Sequence, residues 1–345
     1  MSKKMFDMVI GNPPYQEQNN TNGRQPPVYN LFMDAVEDTS NIVELITPAR
    51  FLFNVGQTSK KWNKKKLSDE HFTVLEYFEN SSDVFPNTDI KGGVAITLRN
   101  NEKNYGAIKN YIPYKEMVSV VEKVFLSTEK NKFLNLVISP RGNYRTTDIF
   151  FDDFSYASER LGKGTGNMIA SNFFEKLPEV SDDGKNNLSL SVKLLAIIGK
   201  KRTVCYLQKK YLQDNDFLSL YNVACPKANG SGYFGEKITG TEILAPNEGA
   251  TDTFISIGKF NDVIEAKNFQ KYIKTKFFRS LLGIKKVTQD NPKSVWSLIP
   301  IQDFTAESDI DWSKSIPEID RRLYEKYGLN EKEINFIETH VKEMA

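Results

Sequence analysis

Cysteine and histidine are scarce in this chain. Cys205 and Cys225 are too few for a four-ligand zinc site and too far apart for a short redox or metal motif. His71 and His340 leave little material for a histidine-dependent triad, although a site built on carboxylates alone escapes that limit. No apolar run approaches the roughly 18 residues of a membrane span, and Met1 to Ile10 has too few apolar residues for a signal peptide. A soluble protein of the reducing cytoplasm, with no membrane partner, is the expectation. Excess charge of one sign is missing too. Forty-six Lys and Arg against 44 Asp and Glu leave a net charge of +2, which excludes a uniformly basic histone-like binder. Any nucleic-acid surface must therefore be local.

What is present is a chain of 345 residues, long enough for about two domains and a sizeable core. Met5 to Gly11 (MFDMVIG) is a short apolar run that stops at glycine, as a buried parallel strand does before a loop. Polar, glycine-containing sequence follows to Pro27, and then Tyr29, Phe32, Met33 and Val36 recur at helical spacing. Three more strands are expected at Asn41 to Thr47, His71 to Phe78 and Gly93 to Leu98. Strands interleaved with helical segments predict an α/β layer with a largely parallel sheet. After Tyr114 the pattern changes. Lys115 to Phe125 reads as a helix, and short β-like pieces and turn clusters such as Lys227 to Gly235 follow. A helix is expected again at Asp262 to Leu282. Two more lie in the tail, the second opening on a capping-box-like pair, Asn330 and Glu333. The reading is two domains, 1–130 and 131–345, the second of mixed α+β character.

Asn12-Pro13-Pro14-Tyr15, directly after the first strand, carries the clearest chemistry. The prolines fix φ near −65° and donate no hydrogen bond, so the Asn12 amide and the Pro13 carbonyl form a preset pair of acceptors. The exocyclic amine of an aromatic base is a poor nucleophile because its lone pair is delocalised into the ring. Two acceptors holding both amine hydrogens favour a pyramidal nitrogen, and positioning lowers the entropic barrier. Tyr15 offers a stacking face to a base taken out of a duplex, worth roughly 1–3 kcal/mol by analogy with single-strand binding. The competing reading is a strand-terminating turn with a packed tyrosine.

With these residues in place, the chain resembles the gamma class of adenine-specific DNA methyltransferases of type II restriction-modification systems. VYNLFMDAV, ELITPARFL and DVFPNTDIKGGVAITL match that family after the loop, as does the stretch from Tyr272 to Phe304. The resemblance implies catalytic roles for Asn12, Pro13, Pro14 and Tyr15, with Asn12 and Pro13 also bordering the cofactor S-adenosylmethionine. It implies that Phe85 stacks on the flipped base from the other side, with Phe78 or plain core packing as the competing reading. No metal is needed.

One departure is serious. The family holds its cofactor on a glycine-rich strand end upstream of the catalytic loop, and little sequence precedes Asn12 here. The best downstream glycine cluster, Gly162-Lys163-Gly164-Thr165-Gly166, follows no clear strand, and a flexible turn is its better explanation. The expected fold is therefore a partial Rossmann-like methyltransferase sheet, its second half, followed by a target-recognition domain. The amino-terminal half is expected in a partner chain, or lost through a split gene or a fragment. The expected activity of the isolated chain is weak.

Basic residues mark candidate contacts to double-stranded DNA. Lys61, Lys64 and Lys65 surround Trp62, and Lys201 and Arg202 begin a second cluster. Phosphate contact needs only cations, though a solvated helix face gives the same pattern. Arg141, Asn143, Arg145, Lys227 and Asn229 are candidate base readers, because Arg suits guanine edges and Asn suits adenine edges. Pro26-Pro27-Val28-Tyr29 fits a PPxY pattern, but Tyr29 begins an apolar stripe and packing explains it better. No nuclease signature was found. Two other functions stay open: a non-catalytic DNA-specificity module, and a methyltransferase acting on another planar amide or amine.

Overall fold

The computed structural model describes residues 4–17, 25–162, 164–181 and 190–344. It divides into two compact units, one of residues 1–115 with 231–233, the other holding the remainder.

The first unit is built on one four-stranded sheet. Its strands are β1 (Phe6–Gly11), β2 (Ser40–Pro48), β3 (Phe72–Phe78) and β4 (Val94–Asn100), in the order β1-β2-β4-β3. β1 and β2 run parallel, joined through helix α1 (Tyr29–Thr39). β4 is antiparallel to both of its neighbours. The expected largely parallel sheet is thus corrected: one of its three pairings is parallel. β3 still points the same way as β1 and β2, because β4 reverses direction twice over. The loops leaving β1, β2 and β3 consequently emerge at one edge of the sheet.

Helix α1 buries Tyr29 and Met33, four residues apart on one face. Helix α2 (Lys60–Leu67) starts at Ser59, whose hydroxyl accepts from the Trp62 amide at 3.2 Å. Tyr29, Phe51, Trp62 and Phe72 interlock in the core, with centroid separations of 5.3–6.3 Å. Lys66 is 1% exposed, its ammonium bound to the Glu37 carboxylate and lying 5.7 Å from the Trp62 ring.

The second unit begins at Glu116, within α3 (Lys115–Ser127), whose buried stripe is Met117, Val120, Val121 and Val124. Short helices α4 (Asp148–Asp153), α5 (Ala157–Leu161) and α6 (Phe173–Lys176) follow. One three-stranded sheet has order β6-β5-β9, from β5 (Ser191–Ile198), β6 (Lys201–Gln208) and β9 (Glu248–Ala250). The other has order β10-β7-β8, from β7 (Tyr221–Pro226), β8 (Glu242–Leu244) and β10 (Phe254–Phe260), with α7 (Asp216–Ser219) leading into β7. Phe150, Phe173, Leu177, Leu194 and Leu207 lie in the core packed under the first of these sheets.

The helix expected at Asp262 to Leu282 is two helices, α8 (Val263–Lys274) and α9 (Lys276–Lys285). Thr275 adopts an extended conformation between them, and its hydroxyl caps α9 by accepting from the Phe278 amide. Helices α10 (Ile316–Lys326) and α11 (Glu331–His340) each begin with a capping box, Ser315 with Glu318 and Asn330 with Glu333. Both cysteines are free and buried. Among the described residues no helix is long and apolar enough to cross a membrane.

Candidate functional site

Gly11 ends β1, and Asn12 to Tyr15 leave the sheet at the carboxyl edge of the parallel pair, the edge where open α/β sheets place ligands. Asn12 and Pro14 are exposed, whereas Pro13 and Tyr15 are partly buried. The loop is anchored behind the motif. The Val28 amide donates to the Tyr15 carbonyl at 3.2 Å, and the Glu17 amide donates to the Pro26 carbonyl at 3.1 Å. This short antiparallel contact leads directly into α1, which gives the Pro26 to Tyr29 segment a packing role.

The loop between β3 and β4 reaches the same place. Ser81 is buried and organises it, its hydroxyl donating to the Thr88 carbonyl at 2.6 Å and accepting from the Ile90 amide at 2.8 Å. The Phe85 amide donates to the Ser81 carbonyl at 2.8 Å. Phe85 is thereby held with its ring 6.5 Å from that of Tyr15, the two planes at 70°. Phe78, the competing position, ends β3 and is partly buried. Gly93 closes the loop with φ +72°, and a Cβ there would lie 2.2 Å from the Phe78 carbonyl oxygen, so only glycine fits.

Among the described residues the buried Tyr15 hydroxyl has no hydrogen-bond partner, and burial pushes its pKa up to about 12. It stays a neutral phenol at physiological pH. Phe53, Tyr77 and Tyr111 form an aromatic triangle in the same unit, with centroids 5.4–6.0 Å apart. Burial also raises the Tyr77 and Tyr111 hydroxyls. Sequence reading missed both the Ser81 lock and this triangle. The only signal for the lock was a serine beside Asn80, a turn-forming pair.

The opposite edge of the sheet holds a polar cavity of about 410 Å³ lined by Lys4, Asp34, Glu37, Asp38, Lys65, Lys66, Asp69, Arg99 and Asn101. Its charges are largely paired with one another, Lys66 with Glu37 at 2.5 Å and Arg99 with Asp69 at 2.7 Å. It is a structural ion network remote from Asn12.

Of the candidate DNA contacts in the first unit, Lys61, Lys64 and Lys65 are all exposed on α2, and Lys65 pairs with Asp34 at 3.2 Å. Trp62 between them is buried and donates to Asp34. In the second unit Lys201 and Arg202 open β6. Both are exposed, and Arg202 also bonds Glu242 and the Gly240 carbonyl and lies over the Phe254 ring. Arg141 is exposed, and both it and Lys227 reach Asp252. The Asn143 amide donates to Asn215, and the Arg145 guanidinium donates to the Gly142 carbonyl. Asn229 is buried, and its amide donates to the Thr239 carbonyl at 2.6 Å. That side chain is spent inside the protein, because a buried amide needs an internal partner. In the glycine cluster, Gly162 ends α5, and Gly164, Thr165 and Gly166 lie in a turn; among the described residues nothing lies within 4 Å of a Cβ placed at any of the three glycines, and Lys163 lies outside the described residues.

Residues 1–85 match the Eco57I restriction-modification methylase family. That match contains the Asn12 to Tyr15 loop and Phe85. The chain is also similar to an uncharacterized adenine-specific methylase of Mycoplasma pneumoniae, 24% identical over 137 residues, covering 38% of this chain and 32% of that protein. It thus spans about a third of that relative's length. Among solved structures, a likeness to the type IIG restriction endonuclease BpuSI covers 88% of this chain and 45% of that one, with 12% identity and a TM-score of 0.33. The family match supports a methylase of restriction-modification type.

Proposed function

We propose that this chain is the catalytic-loop and target-recognition part of an adenine-specific DNA methyltransferase that transfers a methyl group from S-adenosylmethionine to the exocyclic amine of a flipped adenine. The observation that carries the proposal is the convergence of exposed Asn12 with the Tyr15 and Phe85 rings at one edge of the sheet. The Asn12 side-chain oxygen and the Pro13 carbonyl accept the two amine hydrogens, and the proline-fixed backbone holds those acceptors in place. The nitrogen lone pair is then directed out of the ring plane, ready to form the new N–C bond, and one amine proton is lost afterwards to solvent. Tyr15 and Phe85 replace the stacking that the base leaves behind in the duplex. When bound, S-adenosylmethionine would supply an electrophilic methyl group whose bond to the sulfonium sulfur breaks as the N–C bond forms, with a neutral thioether as leaving group, and Asn12 and Pro13 border the place it would occupy.

The cytoplasm, where DNA and the methyl donor meet, is the compartment this function requires. β1 is an edge strand, and Phe6, Met8 and Ile10 on one of its faces are 54%, 44% and 68% exposed. Among the described residues β1 has one strand neighbour, and a backbone edge left unpaired invites a further strand. A partner polypeptide that adds parallel strands there and carries the cofactor loop completes the proposed enzyme. Lys61, Lys64, Lys65, Lys201 and Arg202 contact DNA phosphates in this reading, and Arg141, Asn143, Arg145 and Lys227 contact bases.

The test is methyl transfer by the tagged chain recovered from its native cell with its bound partner. Tritiated S-adenosylmethionine and unmethylated genomic DNA are supplied, and N6-methyladenine is counted. Wild-type complex is expected to methylate, and Asn12→Ala to lose at least about 100-fold, in line with removal of one preorganised transition-state contact. Equal activity of the two would leave the non-catalytic specificity module standing. Full activity of the purified chain without a partner would remove the partner from the proposal.

A further inference from the structure

The turn at residues 139–145 is built more firmly than its exposure requires. The Ser139 amide donates to the Ser256 carbonyl at 2.8 Å, and the Ser256 amide returns a bond to the Ser139 hydroxyl at 2.9 Å. Tyr144 is buried, with its hydroxyl 2.9 Å from that of Ser256. Gly142 turns the chain at φ +64°, and its amide donates to Asp252 Oδ1 at 3.1 Å. The Arg145 Nε group donates to the Gly142 carbonyl at 3.0 Å.

Arg141 stands at the tip of this turn with its side chain 75% exposed. Its Nε group is the guanidinium atom nearest to Asp252, 3.5 Å from Oδ2, so the contact is made from the Nε side of the fork. Lys227, in the loop after β7, donates to the same Asp252 oxygen at 2.7 Å. Asp252 itself is 9% exposed. One sequestered carboxylate therefore hydrogen-bonds a backbone amide and a lysine, with the Arg141 guanidinium at ion-pair distance beside them. The cluster keeps one net positive charge outward. A guanidinium that meets its carboxylate from the Nε side has its Nη pair left to match a planar pair of acceptors, and phosphate anchoring alone needs no such placement.

We infer that Arg141 reads a guanine edge in the recognised DNA site and that Asp252 is the positioning residue that aims it, with Lys227 held alongside. The inference rests on the DNA-methyltransferase reading and deepens it by naming a base and a device for specificity. A guanine presents O6 and N7 in the major groove as the acceptor pair such a fork fits. Asp252 touches no DNA.

The experiment selects bound sequences from a randomised DNA duplex library with the full chain and its partner, then measures affinities for the selected site by fluorescence anisotropy at several salt concentrations. Wild-type protein is expected to show a guanine preference at one position. Arg141→Lys keeps the charge without the fork. It should lose about 5- to 150-fold of discrimination at that position alone, with the salt dependence unchanged. Asp252→Asn should relax the same position and leave the other positions intact, an outcome that general loosening of the fold would not produce. If Arg141→Lys keeps the full preference, or if both variants weaken all sequences equally, the inference is overturned. If wild-type protein selects no sequence at all, the DNA-recognition reading fails together with it, and methyl transfer by the same preparation separates the two failures.

Discussion

Tyr15 and Phe85 meet edge to face with ring centroids 6.5 Å apart, although they stand on loops that leave different strands. The Tyr15 hydroxyl behind that contact is buried and has no acceptor among the described residues. An unsatisfied buried polar group costs about 1–3 kcal/mol. Tyr15→Phe is therefore expected to melt at or above the wild-type temperature and to retain methyl transfer by the complex. Tyr15→Ala should lose roughly 5- to 150-fold of transfer, the equivalent of about 1–3 kcal/mol of base stacking. Equal damage from the two substitutions would show that the hydroxyl, not the ring, does the work.

Two glycines separate strain from collision in the first unit. Gly93 and Gly106 both have positive φ, but a Cβ at Gly93 meets the Phe78 carbonyl at 2.2 Å, whereas one at Gly106 meets nothing within 4 Å. Gly106→Ala carries only the backbone penalty of about 1–2 kcal/mol. Gly93→Ala adds the clash and displaces the loop that holds Phe85. Thermal melts followed by circular dichroism should rank Gly93→Ala clearly below Gly106→Ala, and the reverse order would refute the close approach.

The buried Lys66–Glu37 pair gives the first unit a pH-dependent weakness. Burial raises the Glu37 carboxyl above its ordinary value, and the Lys66 charge opposes that rise. An acid raised in the folded state stabilises the fold in its protonated form, below the ordinary carboxylate range, and that contribution is lost as pH climbs through the raised value. Lys66→Met leaves the Glu37 carboxylate with Arg99 alone, 3.7 Å away, and is expected to cost up to about 3 kcal/mol at pH 7. The penalty should shrink at pH 5, where Glu37 takes up a proton more readily. Urea unfolding at both values measures the difference, and a penalty independent of pH would exclude Glu37 as its source.

The parts of the site that local chemistry dictates were legible before any coordinates. Two prolines and an aromatic after an apolar strand read directly as a rigid loop, and Asn12 to Tyr15 lie where that reading put them, at the end of β1. The four strands of the first unit were likewise visible as apolar runs. Their order was not, because β4 inserts between β2 and β3 and nothing in a single strand records its neighbours. Asn229 reads as a free amide in a polar turn, yet the Thr239 carbonyl claims it. Asp252 carries no signal in the sequence, since its role exists only once Gly142 and Lys227 are folded against it. The break at Thr275 is hidden by apolar periodicity that runs straight through it, although a threonine ahead of Phe277 and Phe278 is an available N-cap.

Asp320 on α10 does for α9 what a cap normally does from within, accepting from the Lys276 and Phe277 amides at 2.9 Å each. The site is 2% exposed, and burial is the leading cause that lifts the carboxyl to about 6, against the pull of those two amides. The sign follows from linkage. Its favourable contribution is complete below the ordinary aspartate value and drains away as pH rises through about 6, a change of about 3 kcal/mol at 1.36 kcal/mol per unit. Asp320→Asn cannot titrate and keeps one acceptor oxygen for the two amides, losing about 1 kcal/mol of hydrogen bonding. The variant should therefore trail the wild type at pH 4 and draw level with it or pass it by pH 7. Urea unfolding of both proteins across that range tests the crossing. A gap that stays constant would mean that Asp320 is ionised throughout and that its two backbone bonds outweigh its burial.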